Sequence, residues 1–281
     1  MVLVDDAGKS LIGCLVNGEL SPFVGADDRA LAFGDGLWER VAVVNGTPWW
    51  WQDHMNRLRR GCDLLGLTPP SQSVLLREIQ TVTAGRRRAI VKLILSRGAG
   101  SVAYLPGSDQ EQTRVITAYP WPEERVREAQ LGVAARVCKT RIAVQPLLGG
   151  INHLNRLEMV LAAREMAGYE EREGLLLDTN NHLISAIDSN LVLVFGDQML
   201  TPRMDRSGVR GILRGRIIRE FKARTELRRV TVDMIAEASE VFLCDVVRGI
   251  VPVLSVDGLE LSPGPVTAEM QTWLEESRNR P

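Results

Sequence analysis

The chain has 281 residues, enough for one large domain or two modest ones, and 45% of them are hydrophobic, so a core needs no disulfide or metal staple. Its 34 basic and 35 acidic side chains leave a formal net charge of −1, which excludes a global electrostatic pull toward nucleic acid or an anionic membrane. Cys14, Cys62, Cys138 and Cys244 are scattered without CxxC spacing, so reduced and mostly buried thiols are expected, with no metal. No run of about 18 apolar residues predicts a membrane span. The start of the chain, with Asp5, Asp6 and Lys9, lacks the apolar core of a secretion signal, and a cytoplasmic location is expected.

Residues 11–24 alternate in polarity around Asn17-Gly18 and predict a hairpin. Phe33-Gly34-Asp35-Gly36 is a turn cluster, followed by a strand over 38–44 and another hairpin signal at Asn45-Gly46. The run Trp49-Trp50-Trp51 reads as packing rather than ligand stacking. A helix over 53–65 follows, with Met55, Leu58, Cys62 and Leu65 at helical spacing and Gly66 closing it. A helix over 71–84 and strands over 89–96 and 114–119 come next. Pro120-Trp121-Pro122 reads as a linker, because two prolines stiffen the chain and interrupt hydrogen bonding.

Beyond it the pattern predicts a strand over 131–139 and a helix over 154–166, with Leu157, Val160, Leu161 and Arg164 at helical spacing. Short strands are expected over 174–178, 182–186, 191–195 and 200–201. Gly208-Val209-Arg210-Gly211 opens a helix to about residue 222, and strands over 241–245 and 250–253 precede a terminal helix over 266–278. There is no internal repeat. The reading is an α/β (α+β) chain of two lobes: a small N-terminal lobe over 1–119, a linker at 120–125, and a larger mixed-sheet lobe over 126–281.

Five segments occur in one order and spacing: Arg29-Ala30-Leu31-Ala32-Phe33-Gly34-Asp35-Gly36-Leu37-Trp38-Glu39, His54-Met55-Asn56-Arg57-Leu58, Ser96-Arg97-Gly98, Asn152-His153-Leu154-Asn155-Arg156-Leu157-Glu158, and Gly208-Val209-Arg210-Gly211-Ile212-Leu213-Arg214. Together they resemble the aminodeoxychorismate lyases, pyridoxal-phosphate (PLP) enzymes of fold type IV and relatives of the branched-chain and D-amino acid aminotransferases. The likeness covers nearly the whole chain. It implies the fold-type IV architecture and a homodimer, with each active site between two lobes and near the partner subunit. It also implies a reaction in which 4-amino-4-deoxychorismate displaces a lysine from PLP, the freed lysine removes a ring proton, and pyruvate leaves. The product, 4-aminobenzoate, serves folate synthesis.

The same alignment exposes departures. The residue before His153 is, in the family, the lysine that holds PLP as a Schiff base; here it is Asn152, whose amide nitrogen is delocalised and cannot act as an amine. The family's glutamate partner to the pyridine nitrogen is replaced by Ser185, which cannot stabilise that proton as a carboxylate does. The loop Ser101-Val102-Ala103-Tyr104 lacks a substrate-side arginine, and Asp245-Val246-Val247-Arg248 stands where small polar residues line the cofactor. Of the four lysines, Lys9, Lys92, Lys139 and Lys222, Lys92 and Lys222 are expected to face away from the cofactor, and Lys139, which ends a strand approaching the lobe interface, is the weaker alternative to a lysine at 152. No cofactor is therefore expected.

The favoured reading is a PLP-independent lyase that releases pyruvate from a chorismate-like ring, driven by aromatisation. Arg57, Arg248, Arg40 and Asn152 would bind its small anionic substrate, and Asp188 or Asp245 would act as base, with Tyr104 as a hydrogen-bond donor. Gly208, Val209, Gly211 and Ile212 would form an anion loop at a helix N-terminus. His153 and Asn155 read as structural. The alternatives are a non-catalytic protein of the same fold that binds an anion or a partner, and a residual lyase holding PLP non-covalently.

Overall fold

The computed structural model describes residues 11–100, 103–107 and 110–279. The acidic start of the chain, with Lys9, and the Ser101-Val102 part of the loop lie outside the described residues. Two compact units divide the chain: Met1–Trp121 with Ile151–Asn155, and Pro122–Gly150 with Arg156–Pro281. The division at Trp121 falls inside the stretch read as linker, while five residues from the middle of the chain join the first unit.

In the first unit, β1 (Gly13–Val16), β2 (Glu19–Leu20), β3 (Gly36–Val44), β4 (Thr47–Pro48), β5 (Arg88–Ser96) and β6 (Thr113–Tyr119) form one antiparallel sheet in the order β2-β1-β6-β5-β3-β4. β3 and β5 pair over their full lengths, from Gly36↔Ser96 to Val44↔Arg88. Alternation then decides which face is core: Leu37, Val41 and Val43 of β3 and Val91, Leu93 and Leu95 of β5 are buried. Helices α2 (Trp51–Leu65) and α3 (Gln72–Val82) cover that face with Met55, Leu58, Cys62, Leu75 and Ile79. Gly66, at φ +63°, closes α2 as its spacing predicts. Arg29–Phe33 is a short helix, α1, capped by Asp28, where sequence suggested only a turn. Residues 152–154 extend the sheet beside β3: the Trp38 N–H donates to Asn152 O at 2.9 Å and the Leu154 N–H to Gly36 O at 3.0 Å.

In the second unit, α4 (Glu123–Leu131) takes in the last three residues of the expected linker; none of its residues is buried, so it leaves no core-facing period to read. It is followed by β7 (Val133–Ile142), α5 (Leu157–Met166), β8 (Glu173–Asp178), β9 (Leu183–Ala186), β10 (Asn190–Phe195), β11 (Gln198–Pro202), α6 (Ile212–Glu220), β12 (Thr225–Arg228), α7 (Met234–Glu237), β13 (Glu240–Asp245), β14 (Gly249–Val256), β15 (Leu259–Glu260) and α8 (Pro265–Asn279). The helix expected from 154 begins at Leu157 because residues 152–154 are strand-paired.

The second sheet is mixed and nine-stranded, ordered β12-β11-β10-β13-β14-β7-β8-β9, with β15 on β14. Asn190↔Ser185 pairs β10 back onto β9, so six of these strands close into a ring. Its interior is apolar: Leu175, Leu177, Leu183, Leu191, Leu193, Leu243, Val251 and Val253 are at most 4% exposed.

One buried carboxylate ties α8 to this ring. Glu240 of β13 accepts the Val266 N–H at 3.0 Å and the Thr267 N–H at 2.8 Å, satisfying two amides of the first helical turn and meeting the positive end of its dipole. Glu240→Leu strands both donors in a buried site and is expected to cost about 1–3 kcal/mol in urea unfolding. An unchanged midpoint would show that water replaces the carboxylate at no loss.

Candidate active site

Asn152 lies opposite Trp38 in the antiparallel ladder, as the bridge Leu37↔His153 fixes. Opposed residues share a face, so the Asn152 and Trp38 side chains rise from the same side of the sheet. Asn152 is 6% exposed, and its Nδ2–H donates to Trp38 O at 2.6 Å. The position of the expected cofactor anchor is thus well seated but holds an amide, which can hydrogen-bond and cannot carry a proton as an amine does.

Arg40 stands two residues along β3 on that same face, and the register puts Lys92 of β5 directly opposite it. The Lys92 Nζ lies 5.4 Å from the Trp38 ring centroid, and among the described residues no carboxylate pairs with it. Burial, and then the Arg40 charge beside it, push the Lys92 ammonium below the usual lysine range. This corrects the expectation for Lys92: strand register, which a lone sequence does not give, sets it on the face that carries Asn152.

Glu39 points to the opposite, core face. Its carboxylate accepts Arg57 Nε at 2.8 Å and Arg57 Nη2 at 2.6 Å, and lies 2.6 Å from His54 Nδ1. Burial alone would push the Glu39 carboxyl up, but Arg57 and His54 together hold it below the usual range. Arg57, expected to contact an anion, is committed through two nitrogens to this internal pair. Tyr104, expected as a donor to a ligand, is 87% exposed; its ring leans on Phe33 at 5.4 Å and its carbonyl accepts Arg29 Nη2.

The second unit holds the other expected residues. Arg248, read as a clamp for a substrate carboxylate, is 3% exposed and already enclosed by carboxylates of its own chain. Its Nε donates to Asp245 at 2.7 Å, its Nη1 to Glu128 at 2.8 Å and to Glu173 at 2.5 Å, and its Nη2 to the Ser189 hydroxyl at 3.2 Å. Burial would depress the guanidinium, yet these carboxylates raise its proton affinity above the usual value, while burial outweighs the arginines at Glu173 and pushes that carboxyl up.

Asp245, read as a base, also accepts the Val247 and Arg248 backbone N–H groups. Asp188, the other candidate base, is half-exposed and 3.8 Å from Arg125. Arg248, Asp245 and Asp188 therefore form part of a structural ion network. The partners Glu128 and Glu173 lie far away in sequence, so no local motif announces them.

The glycine loop is tightly packed. Gly208 takes φ +75°, and a Cβ there would stand 2.6 Å from Ile184 Cγ2 of β9. A Cβ at Gly211 would overlap Asn190 Oδ1, while Asn190 Nδ2 clasps Val209 O at 3.0 Å. No side chain caps the start of α6, after Gly211. Sequence reasoning missed Ser207 beside this loop. Ser207 and Ser185 are 5% and 6% exposed, and among the described residues neither hydroxyl has a hydrogen-bond partner.

Removing the guanidinium leaves several buried carboxylates facing one another. Arg248→Met is expected to cost about 3–5 kcal/mol, measured by urea unfolding. A variant as stable as the parent would mean that the guanidinium is free for a ligand.

Residues 36–256 match the family described as Amino-transferase class IV. The chain is 29% identical over 248 residues to the aminodeoxychorismate lyase of Vibrio harveyi, covering 87% of this chain and 92% of that one. The crystal structure of 4-amino-4-deoxychorismate lyase from Pseudomonas aeruginosa superposes with a TM-score of 0.88 at 35% identity, covering 94% of this chain and 98% of that one. A hypothetical aminotransferase from Mycobacterium tuberculosis, in a PLP-bound form, shares the fold at a TM-score of 0.82 and 18% identity, covering 95% of this chain and 99% of that one. These likenesses overturn the expectation of no cofactor: the relatives point to PLP, and losing a lysine removes one bond without removing the scaffold that holds the rest of the molecule. The chain belongs to the class IV aminotransferase family, with a mixed α/β fold of type IV.

Proposed function

We propose that this chain is a lyase that releases pyruvate from 4-amino-4-deoxychorismate or a close analogue, using PLP held without a covalent bond at position 152. The observation that carries this reading is the 35% identity to the Pseudomonas aeruginosa lyase over 94% of the chain. The residues present fit the cofactor at its phosphate end. The Gly208 turn, the uncapped start of α6 and the unpartnered Ser207 hydroxyl together suit a phosphate monoester. Ser185 offers a hydroxyl to the ring, in place of a carboxylate. They do not fit a covalent bond at Asn152.

When bound, PLP supplies an electron sink for bond breaking beside the substrate nitrogen. The chain's own groups set the rest. Arg40 supplies a cation for a substrate carboxylate, and Asn152 hydrogen-bonds without shuttling a proton. Arg248 and Asp245 hold the second unit together and take no part in proton transfer. The formation of an aromatic ring provides the driving force, so a weakened proton relay slows the reaction without abolishing it. The same reading takes the protein as a cytoplasmic homodimer acting on a small anionic substrate, with no nucleic acid or membrane partner.

A dehydrogenase-coupled assay with 4-amino-4-deoxychorismate should detect pyruvate, and dialysis to remove PLP should stop it. Release that survives PLP removal, or no release from this substrate or chorismate, contradicts the proposal; the latter favours a binding protein. Asn152→Lys restores an amine and is expected to raise kcat by about 10²–10⁴-fold. An unchanged kcat would remove position 152 from the reaction.

A further inference from the structure

Loss of a reactive amine at one position raises the question of where the nearest other amine stands. Four lysines occur in the chain. Lys139 and Lys222 are exposed, and Lys9 lies outside the described residues. Lys92 is different: it is half-buried on the face of the first unit's sheet that also carries Asn152.

The bridged segment 152–154, β3 and β5 lie side by side, with Trp38 opposite both Asn152 and Ile94. Lys92 is two residues from Ile94, so its Cα lies about 12 Å from that of Asn152, from the usual strand spacing and rise. Both side chains rise from one surface, with the Trp38 ring beneath the Lys92 Nζ.

We propose that Lys92 supplies the primary amine that position 152 lacks, and bonds covalently to the aldehyde carbon of PLP. The inference rests on the reading that PLP is held here. The Nζ lone pair attacks the aldehyde carbon, a carbon–nitrogen double bond replaces the carbon–oxygen one, and the two amine hydrogens leave with the oxygen as water. No oxidant or reductant is needed. The surroundings favour the step, because burial and the neighbouring Arg40 lower the proton affinity of Nζ and raise its share of neutral amine. Among the described residues, no carboxylate opposes that effect.

The test incubates the full chain with stoichiometric PLP, measures retained PLP after gel filtration, then reduces with borohydride and maps the adduct by peptide mass spectrometry. One adduct per chain on the peptide bearing Lys92 supports the proposal. Lys92→Arg should lose that adduct while still retaining PLP. Retained PLP with no adduct, or with the adduct on Lys9, Lys139 or Lys222, overturns the role of Lys92 and leaves non-covalent binding standing. No retained PLP overturns both. Mapping of the parent chain decides the matter even where Lys92→Arg fails to fold.

Discussion

A short stretch of antiparallel pairing governs the chemistry open to this protein. The Trp38 N–H bonds to Asn152 O, the Leu154 N–H bonds to Gly36 O, and the Asn152 side-chain amide returns to Trp38 O. These bonds seat residues 152–154 as a bridge beside β3 of the first unit's sheet. They also fix which way position 152 points and delay the start of α5 to Leu157. The residue is buried and held by its own side-chain hydrogen bond, and what it lacks is a nucleophilic nitrogen.

The second unit shows the same separation between scaffold and chemistry. Its ring of strands closes through Asn190↔Ser185, and the Asn190 side chain reaches on to hold Val209. The strand that closes the ring thus also shapes the Gly208–Ile212 loop, and Gly211 is required where Asn190 crowds the backbone. The charge of Arg248 is spent internally. Arg248 answers Asp245, Glu173 and Glu128 at once, a group that is costly to separate and poorly suited to exchanging protons with a substrate. Beside the Gly208 loop, the Ser207 and Ser185 hydroxyls have no hydrogen-bond partner among the described residues.

Much of this architecture is legible in the residue pattern where one local rule governs. Gly66 closes α2, Asn17-Gly18 and Asn45-Gly46 turn their hairpins, and the five family segments assign the fold. The pattern fails where the deciding contact is distant. Glu123–Leu131 is helical though the sequence reads 120–125 as linker and predicts no helix there, because an exposed helix buries no periodic face. In α5 the apolar spacing of Leu157, Val160 and Leu161 marks residues that stand exposed, and Ala162 and Met166 are buried instead. Arg248 looked like a ligand clamp because Glu128 and Glu173 are invisible from residue 248. Lys92 looked misdirected because its facing depends on register with Arg40. The exclusion of a cofactor failed for another reason: it treated one covalent bond as equivalent to the whole binding site.

The most direct measurement is equilibrium dialysis of the native chain against PLP, with pyridoxal, which lacks the phosphate, in parallel. Saturable binding of one PLP per chain, and at least tenfold weaker binding of pyridoxal, is the result expected of a cofactor gripped by the Gly208–Ile212 loop. Equal affinity for the two, or no saturable uptake of either, would contradict it.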